Sequence, residues 1–420
     1  MSGSSRTEDA YTVALSDIDV SDPVLYASDR WRPYFARLRE EDPVHYCKDS
    51  AFGPFWSVTR FDDILSIDGD YERYSAEPVI TIGDAAPTSS DRKPTSMFIQ
   101  MDPPRHDERR KIVQPVVAPR NLQSYFEPLI RQRASQILDE LPIGETFDWV
   151  SRVGVNLTSR MLATLFDFPQ EERHKLIYWS DCFTDDPRIG GGRFSHEERS
   201  NATRECLHTF AQLFEERRTK APDGGADLIT MLAQGEATRD LLQRPEEFIG
   251  TLILLIVGGN DTTRNSIAGG VLGLNEFPQE YEKLRGDHSL VQSMVPEIIR
   301  WQTPVLHIRR TMAQDAELAG KALSKGDKVI MWYISGNRDE SVIERADEFV
   351  IDRVNPRHHL AFGFGLHRCI GNRLAEMQIR ILWEEIMQRF SFVEVMGPPK
   401  RLASNLIRGI VELPVRVHRA

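Results

Sequence analysis

A chain of 420 residues, 40% hydrophobic and 27% charged, without low-complexity tracts, has the composition of a globular protein that buries a large core. Its net charge of −11, with no Lys/Arg block interleaved with aromatics, argues against a nucleic-acid partner held on a basic face. Cys47, Cys182, Cys206 and Cys369 are far apart and form no C-x-x-C pair, so neither a zinc site nor a disulfide framework is supported, and a reducing cytoplasm is the expected compartment.

The N-terminus, MSGSSRTEDAYTVALSD, is polar and lacks the apolar core of a signal peptide. Residues 1–15 are expected to form a disordered arm, and 16–420 a single domain. Between 50 and 95 the pattern predicts short strands and turns: FWSVTRF alternates apolar and polar residues, and a loop rich in Pro, Ser and Asp follows. From Pro104 to about residue 300 helical periodicity dominates, as in YFEPLIRQRASQILDEL and CLHTFAQLFEERR. The loop DDPRIGGGRF, 185–194, is a flexible connection or, over a pocket, a lid hinge. Leu252–Val257, the longest aliphatic run, is too short to span a bilayer, so a soluble protein is expected. Residues 305–335 turn strand-like (VLHIRRTM, KVIMWYI), and helix resumes after Gly371. No linker divides the chain, which favours one large, mainly α (α+β) domain.

Two stretches break local rules. Pro245 to Phe277, PEEFIGTLILLIVGGNDTTRNSIAGGVLGLNEF, predicts a helix roughly 50 Å long. Pro245 suits its start and Pro278 its end. In its middle GGNDTT sets two glycines, each costing roughly 1 kcal/mol relative to Ala, beside an acid–alcohol pair. Such an uncompensated interruption marks a functional candidate, although Thr262 could simply bend the helix by bonding back to a preceding carbonyl.

The second stretch is HLAFGFGLHRCIGNRLAE, 359–376. A sulfur at Cys369, just before a helix, faces free backbone N–H groups and the positive end of the helix dipole, both of which favour thiolate. Gly363 and Gly365 permit a tight turn that approaches a flat partner closely. Gly371 keeps the first helical turn free of side-chain bulk, and Phe362 could cover the sulfur. A buried structural cysteine at a helix start is the plainer alternative. The spacing F-x-x-G-x-H-x-C-x-G is far more specific, however, and resembles the haem-ligand signature of the cytochrome P450 superfamily.

That resemblance runs from residue 102 to 371. Glu297-Ile-Ile-Arg300 is similar to the superfamily's E-x-x-R helix motif, with Arg353 as third member of its ion-pair triad. GGNDTT resembles its oxygen-activation motif, which implies that Asp261 and Thr262 relay protons. DPPRHDERR implies that His106 and Arg110 meet the haem propionates, and Arg310 and His367 match two further propionate contacts. The resemblance implies a single cytochrome P450 fold, a helical haem-binding core with small peripheral sheets. It also implies haem b, ligated by Cys369 and cradled by Phe362, Gly365 and Gly371. No G-x-G-x-x-G follows a strand, so no bound flavin or NAD is expected. Electrons would come from a separate ferredoxin and its reductase, docked near Arg357 and Arg368.

GGNDTTRNS, MWYISGNRDE and HLAFGFGLHRCIGNRLAEMQ are similar to the bacterial alkane terminal-hydroxylase branch. This implies a medium-chain alkane, fatty acid or related alkyl chain as substrate. The expected pocket wall comprises Leu254, Val257 and Gly258 on the long helix, Leu306 and Ile308 before Arg310, and Phe98 and Leu406; Ile80, Ile82 and Met97 are further candidates. A steroid or branched-lipid hydroxylase is the competing enzyme. A non-catalytic haem-thiolate sensor would need Cys369 but not Asp261 and Thr262.

Overall fold

The alternation around Phe55 does make a strand. A computed structural model describes residues 10–84, 96–185, 192–219 and 227–419. Its principal strands are β1 (Val44–Cys47), β2 (Phe55–Val58), β3 (Tyr74–Ser75), β4 (Thr146–Asp148), β5 (Ile308–Met312), β6 (Lys328–Met331), β7 (Phe390–Val395) and β8 (Pro414–Arg419). One sheet has the order β1-β2-β6-β5-β3, parallel only between β2 and β6. A smaller antiparallel sheet, β4-β8-β7, closes the C-terminal end. These peripheral sheets flank a helical body, the cytochrome P450-like arrangement expected from the motifs.

The helices that build the site are α1 (Arg32–Glu41), α2 (Phe61–Asp68), α3 (Arg105–Val113), α4 (Glu127–Asp139), α5 (Asn156–Leu165), α6 (His174–Thr184), α7 (His196–Thr219), α8 (Pro245–Glu276), α9 (Val291–Gln302) and α10 (Asn372–Arg389). Two differ from expectation. α2 stands where only strands and turns were predicted; its eight residues bury Phe61, Ile64 and Ile67, too short a stripe to announce a period. α8 is not interrupted: it runs unbroken through GGNDTT for 32 residues.

α8 passes through the main hydrophobic cluster, which extends from Phe98 to Val417 and includes Trp149, Trp179, Trp301 and Trp383. Its later glycines are contact residues. A Cβ on Gly269 would press on Gln302, and one on Gly270 on Ile298, so these glycines let α9 approach α8 closely. A second cluster gathers Trp31, Phe35, Trp332 and Leu306 behind the five-stranded sheet.

Of the expected N-terminal arm, residues 1–9 lie outside the described residues, but 10–15 are fastened down. Ala10 is buried, and Arg37 Nη1 of α1 donates to the carbonyls of Ala10 at 2.7 Å and Val13 at 2.6 Å. Residues 186–191 of the loop read as a lid hinge also lie outside. At its base Asp185 accepts from Arg193 N at 2.9 Å and Arg199 Nη1 at 3.1 Å. Among the described residues no helix is long and apolar enough to cross a membrane.

The E-x-x-R pair is wholly buried and fully bonded. Arg300 donates to both oxygens of Glu297 at 2.7 Å and to the carbonyls of Asn337, Ala346 and Glu348, also at 2.7 Å. Arg353 Nε and Val350 N donate to the same carboxylate at 2.8 Å. One buried anion thus joins α9 to the irregular segment 337–353, which leads into the Cys369 loop.

Candidate active site

The Cys369 loop turns back on itself, with Cys369 N donating to Phe362 O at 2.8 Å. Gly363 and Gly365 have φ of +65° and +63°, a left-handed conformation that side-chain-bearing residues rarely adopt. Of the four cysteines only Cys369 is accessible, yet protein surrounds its sulfur, so the thiol lies at the floor of a recess. Burial pushes this thiol up. The backbone N–H groups of Gly371 and Asn372 and the charges of Arg110 and Arg368 pull against that shift. The helix start therefore favours thiolate as expected, but burial outweighs it; a coordinated metal would deprotonate the sulfur outright. A Cβ on Gly371 would come no closer to the sulfur than 4.0 Å, so this glycine is not sterically forced by the protein alone.

The four expected propionate contacts converge beside this loop. The rings of His106 and His367 are 4.4 Å apart, and the charges of Arg310, His106 and Arg110 all act on His367. His106 Nε2 and both ring nitrogens of His367 are buried with no partner among the described residues, which is costly unless an acceptor lies beside them. Burial and these cations push the His367 imidazole far down. Arg110 Nη2 donates to Arg368 O at 2.6 Å, tying α3 to the loop, while Arg310 Nη2 pairs with the buried Asp68 at 2.9 Å. A cluster of unpaired imidazole nitrogens and guanidiniums beside a recessed thiol suits a group with one metal and two carboxylates. Haem b fits these residues.

On α8, Leu254, Gly258 and Thr262 are successive i+4 positions and so share one face. All three keep accessible surface on a helix that is otherwise largely buried. A Cβ on Gly258 would meet nothing within 4 Å, whereas one on Gly259 would reach Leu162 at 3.0 Å. The first glycine leaves a notch in the accessible face; the second admits α5. Thr262 Oγ1 donates to Gly258 O at 2.9 Å, the back-bond anticipated from sequence, without breaking the helix.

Asp261 points to the other side. Its Oδ1 accepts from Arg264 Nη2 at 2.7 Å and from Asn260 Nδ2 at 3.0 Å, and Asn260 Oδ1 in turn accepts from Thr158 of α5 at 2.8 Å. Arg264 also reaches Asp181 of α6 at 3.2 Å, and Asp181 lies 3.7 Å from Arg193. Exposure rises along this chain from 1% at Asp261 through 14% and 21% to 36% at Arg193. Burial pushes the Asp261 carboxyl up, against the pull of Arg264. Asn260 and Arg264 stand inside the GGNDTTRNS stretch but were given no role there, and Asp181 and Asp68 carry no motif that pointed to them.

The candidate pocket segments do meet. Arg309 N donates to Ile80 O at 2.8 Å, Ile82 N to the neutral ring of His307 at 3.1 Å, and Leu306 N to Leu406 O at 2.8 Å. Gly250 of α8 lies so close to Ser96 that no side chain could stand there. Leu254, Val257, Gly258, Ile308, Ile80, Met97 and Leu406 keep accessible surface. Leu306, Ile82 and Phe98 do not: Leu306 and Ile82 are packed in the Trp31–Trp332 cluster and Phe98 in the main core. Arg357 and Arg368, read as docking residues, are both exposed, and Arg357 also pairs with Glu376 at 2.9 Å.

The family model for Cytochrome P450 matches residues 193–416. Linalool 8-monooxygenase of Pseudomonas putida is 35% identical over 406 residues, spanning 94% of this chain and 98% of that protein. Methyl-branched lipid omega-hydroxylase of Mycobacterium tuberculosis is 32% identical over 395 residues, 91% of this chain and 90% of its own. Among solved structures, cytochrome P450-153 from Novosphingobium aromaticivorans matches with a TM-score of 0.86 and 41% identity, covering 95% of this chain and 99% of that one. CYP153D17 from Sphingomonas sp. PAMC 26605 matches at 0.90 and 44%, covering 96% and 99%. With likeness spanning nearly the whole of both chains, the chain belongs to the cytochrome P450 family and is a haem-thiolate monooxygenase carrying cysteine-ligated haem b.

Proposed function

We propose that this monooxygenase hydroxylates the terminal carbon of a linear alkyl chain, a medium-chain alkane or a fatty acid, in the cytoplasm. O2 is the co-substrate, and electrons come from a separate ferredoxin and its reductase, met on the face around Arg368. The observation that carries the reading is the accessible strip Leu254–Val257–Gly258 on α8, wholly apolar and leading directly to Thr262. An apolar wall recognises a substrate by its methylenes. Each buried methylene contributes about 0.8 kcal/mol, so affinity rises up to about fourfold per added carbon until the pocket is full. Titrating alkanes and fatty acids of increasing length against the haem spectrum tests this; affinity indifferent to chain length would refute it.

Cys369 would hold the iron, with His106, His367, Arg110 and Arg310 on the propionates. When bound, cysteine-ligated haem supplies the activation of O2 for C–H oxidation. The protein's own residues handle substrate and protons. The Thr262 hydroxyl, fixed on Gly258 O, keeps its oxygen available on the accessible face. The Asp261 carboxyl, pushed up by burial, is suited to take up protons that arrive on its own side of α8 near Asp181, with Arg264 and Arg193 holding the carboxylates in place rather than passing protons, and to bring them to that hydroxyl by turning its side chain. Asp261→Asn is expected to slow turnover by roughly 10²-fold or more while leaving substrate binding intact. In Thr262→Ala, electrons are expected to be diverted to hydrogen peroxide; unchanged product per electron consumed would remove Thr262 from the relay.

Terminal attack needs a narrow approach, because each tenfold in selectivity requires about 1.4 kcal/mol between competing transition states. Leu254→Ala widens the strip and is expected to move hydroxylation toward internal carbons, read from the ratio of octanol isomers. A second reading, a methyl-branched lipid as substrate, draws on the omega-hydroxylase relative and on the notch at Gly258, which has room for a branch. Tighter binding of a methyl-branched chain than of its linear isomer would favour it.

A further inference from the structure

Asp68, the last residue of α2, is buried and gathers three donors from three different parts of the fold. Its Oδ1 accepts from Arg310 Nη2 of β5 at 2.9 Å. Its Oδ2 accepts from the Tyr333 hydroxyl at 2.7 Å and from Phe364 N, in the Cys369 loop, at 3.0 Å. Every partner is a donor, an arrangement that favours the carboxylate and works against the burial that pushes its pKa up.

The loop is also shaped around this residue. A Cβ on Gly365 would collide with the Asp68 carbonyl, and one on Gly363 would come within 3.4 Å of Oδ2 and 3.3 Å of the Tyr333 oxygen. Arg310 is buried, and among the described residues Asp68 is its one carboxylate partner; its other bond goes to Arg309 O at 3.2 Å. Without Asp68 three costs arise together, an unpaired buried guanidinium, an orphaned Tyr333 hydroxyl and an orphaned N–H in the loop that carries the thiol.

Resting on the haem-thiolate reading of this site, we propose that Asp68 is a positioning residue for the haem. It aims Arg310 at the propionate side and fastens the Cys369 loop, so that haem retention and the iron's reduction potential both depend on its negative charge. Charge near a metal in a protein interior acts on it strongly. Removing the anion leaves Arg310 uncompensated and favours the reduced iron.

The test compares wild type, Asp68→Asn and Tyr333→Phe as holoproteins, by the rate of haem transfer to excess apomyoglobin and by the iron's reduction potential. Asp68→Asn is expected to lose haem roughly 10–100-fold faster and to have a more positive potential. Tyr333→Phe, which loses one hydrogen bond and keeps the charge, is expected to lose haem only slightly faster at an unchanged potential. Wild-type transfer and potential in Asp68→Asn would overturn the proposal, as would a Tyr333→Phe potential shifted equally far. If Asp68→Asn yields no holoprotein, Asp68→Glu keeps the charge on a longer arm. A potential that stays at the wild-type value in that variant supports the proposal, and a potential shifted although the charge is kept overturns it. Failure of the underlying reading looks different: the wild type itself would lack the thiolate signature in its carbon monoxide complex.

Discussion

Replacing Cys369 by Ala abolishes the red-shifted Soret band of the reduced carbon monoxide complex, and monooxygenase turnover with it. The expectation follows from what distinguishes this thiol. Burial raises the pKa of all four cysteines, but at Cys47, Cys182 and Cys206 the sulfur is enclosed in packed interior and faces neighbouring carboxylates. Cys369 alone is accessible, and alone has two backbone N–H groups and two guanidiniums directed at its sulfur. The Ala variant should keep its fold, because the group removed packs against a recess rather than a core. A variant that retains the band would transfer the ligand role to another cysteine.

The second large effect lies away from the chemistry. Glu297→Gln leaves the buried Arg300 and the partly buried Arg353 around a neutral amide that cannot accept all four of the bonds now directed at it. Breaking a buried ion pair from one side costs about 3–5 kcal/mol, a large share of the roughly 5–15 kcal/mol that holds a typical domain folded. Because the triad organises the segment leading to the Cys369 loop, both the denaturant midpoint and the haem content should fall. The measurement is urea unfolding followed beside the absorbance ratio of haem to protein. A wild-type midpoint would mean that the triad's bonds are dispensable.

These two sites were legible for the same reason: their chemistry is local in sequence. Glu297 and Arg300 meet because three residues bring side chains to one helix face, and Cys369 faces N–H groups because it stands just before a helix. Asp261 and Thr262 stood out because glycines and an acid break an apolar run. α2 was missed because eight residues hold too little of a period. The β7 and β8 strands were missed although Gly397-Pro398-Pro399 punctuates the chain after β7, because β8 pairs with β7 across a long connection and with β4 in a distant part of the sequence. Asp68 could not be found at all, since Arg310 lies 242 positions away and no spacing links them. Leu306 was assigned to the pocket by its nearness to Arg310, but packing draws it into the cluster around Trp332. Sequence position near a site does not determine which way a side chain is buried.

The proposed linear substrate lies along a strip of aliphatic surface that ends at Thr262, and the regiochemistry of the wild-type enzyme on octane tests this most directly. With a reduced ferredoxin system and O2, the predicted product is predominantly 1-octanol, and Leu254→Ala shifts it toward 2- and 3-octanol. Mainly internal alcohols from the wild type, or turnover of sterols with none of octane, would contradict terminal hydroxylation of a linear chain.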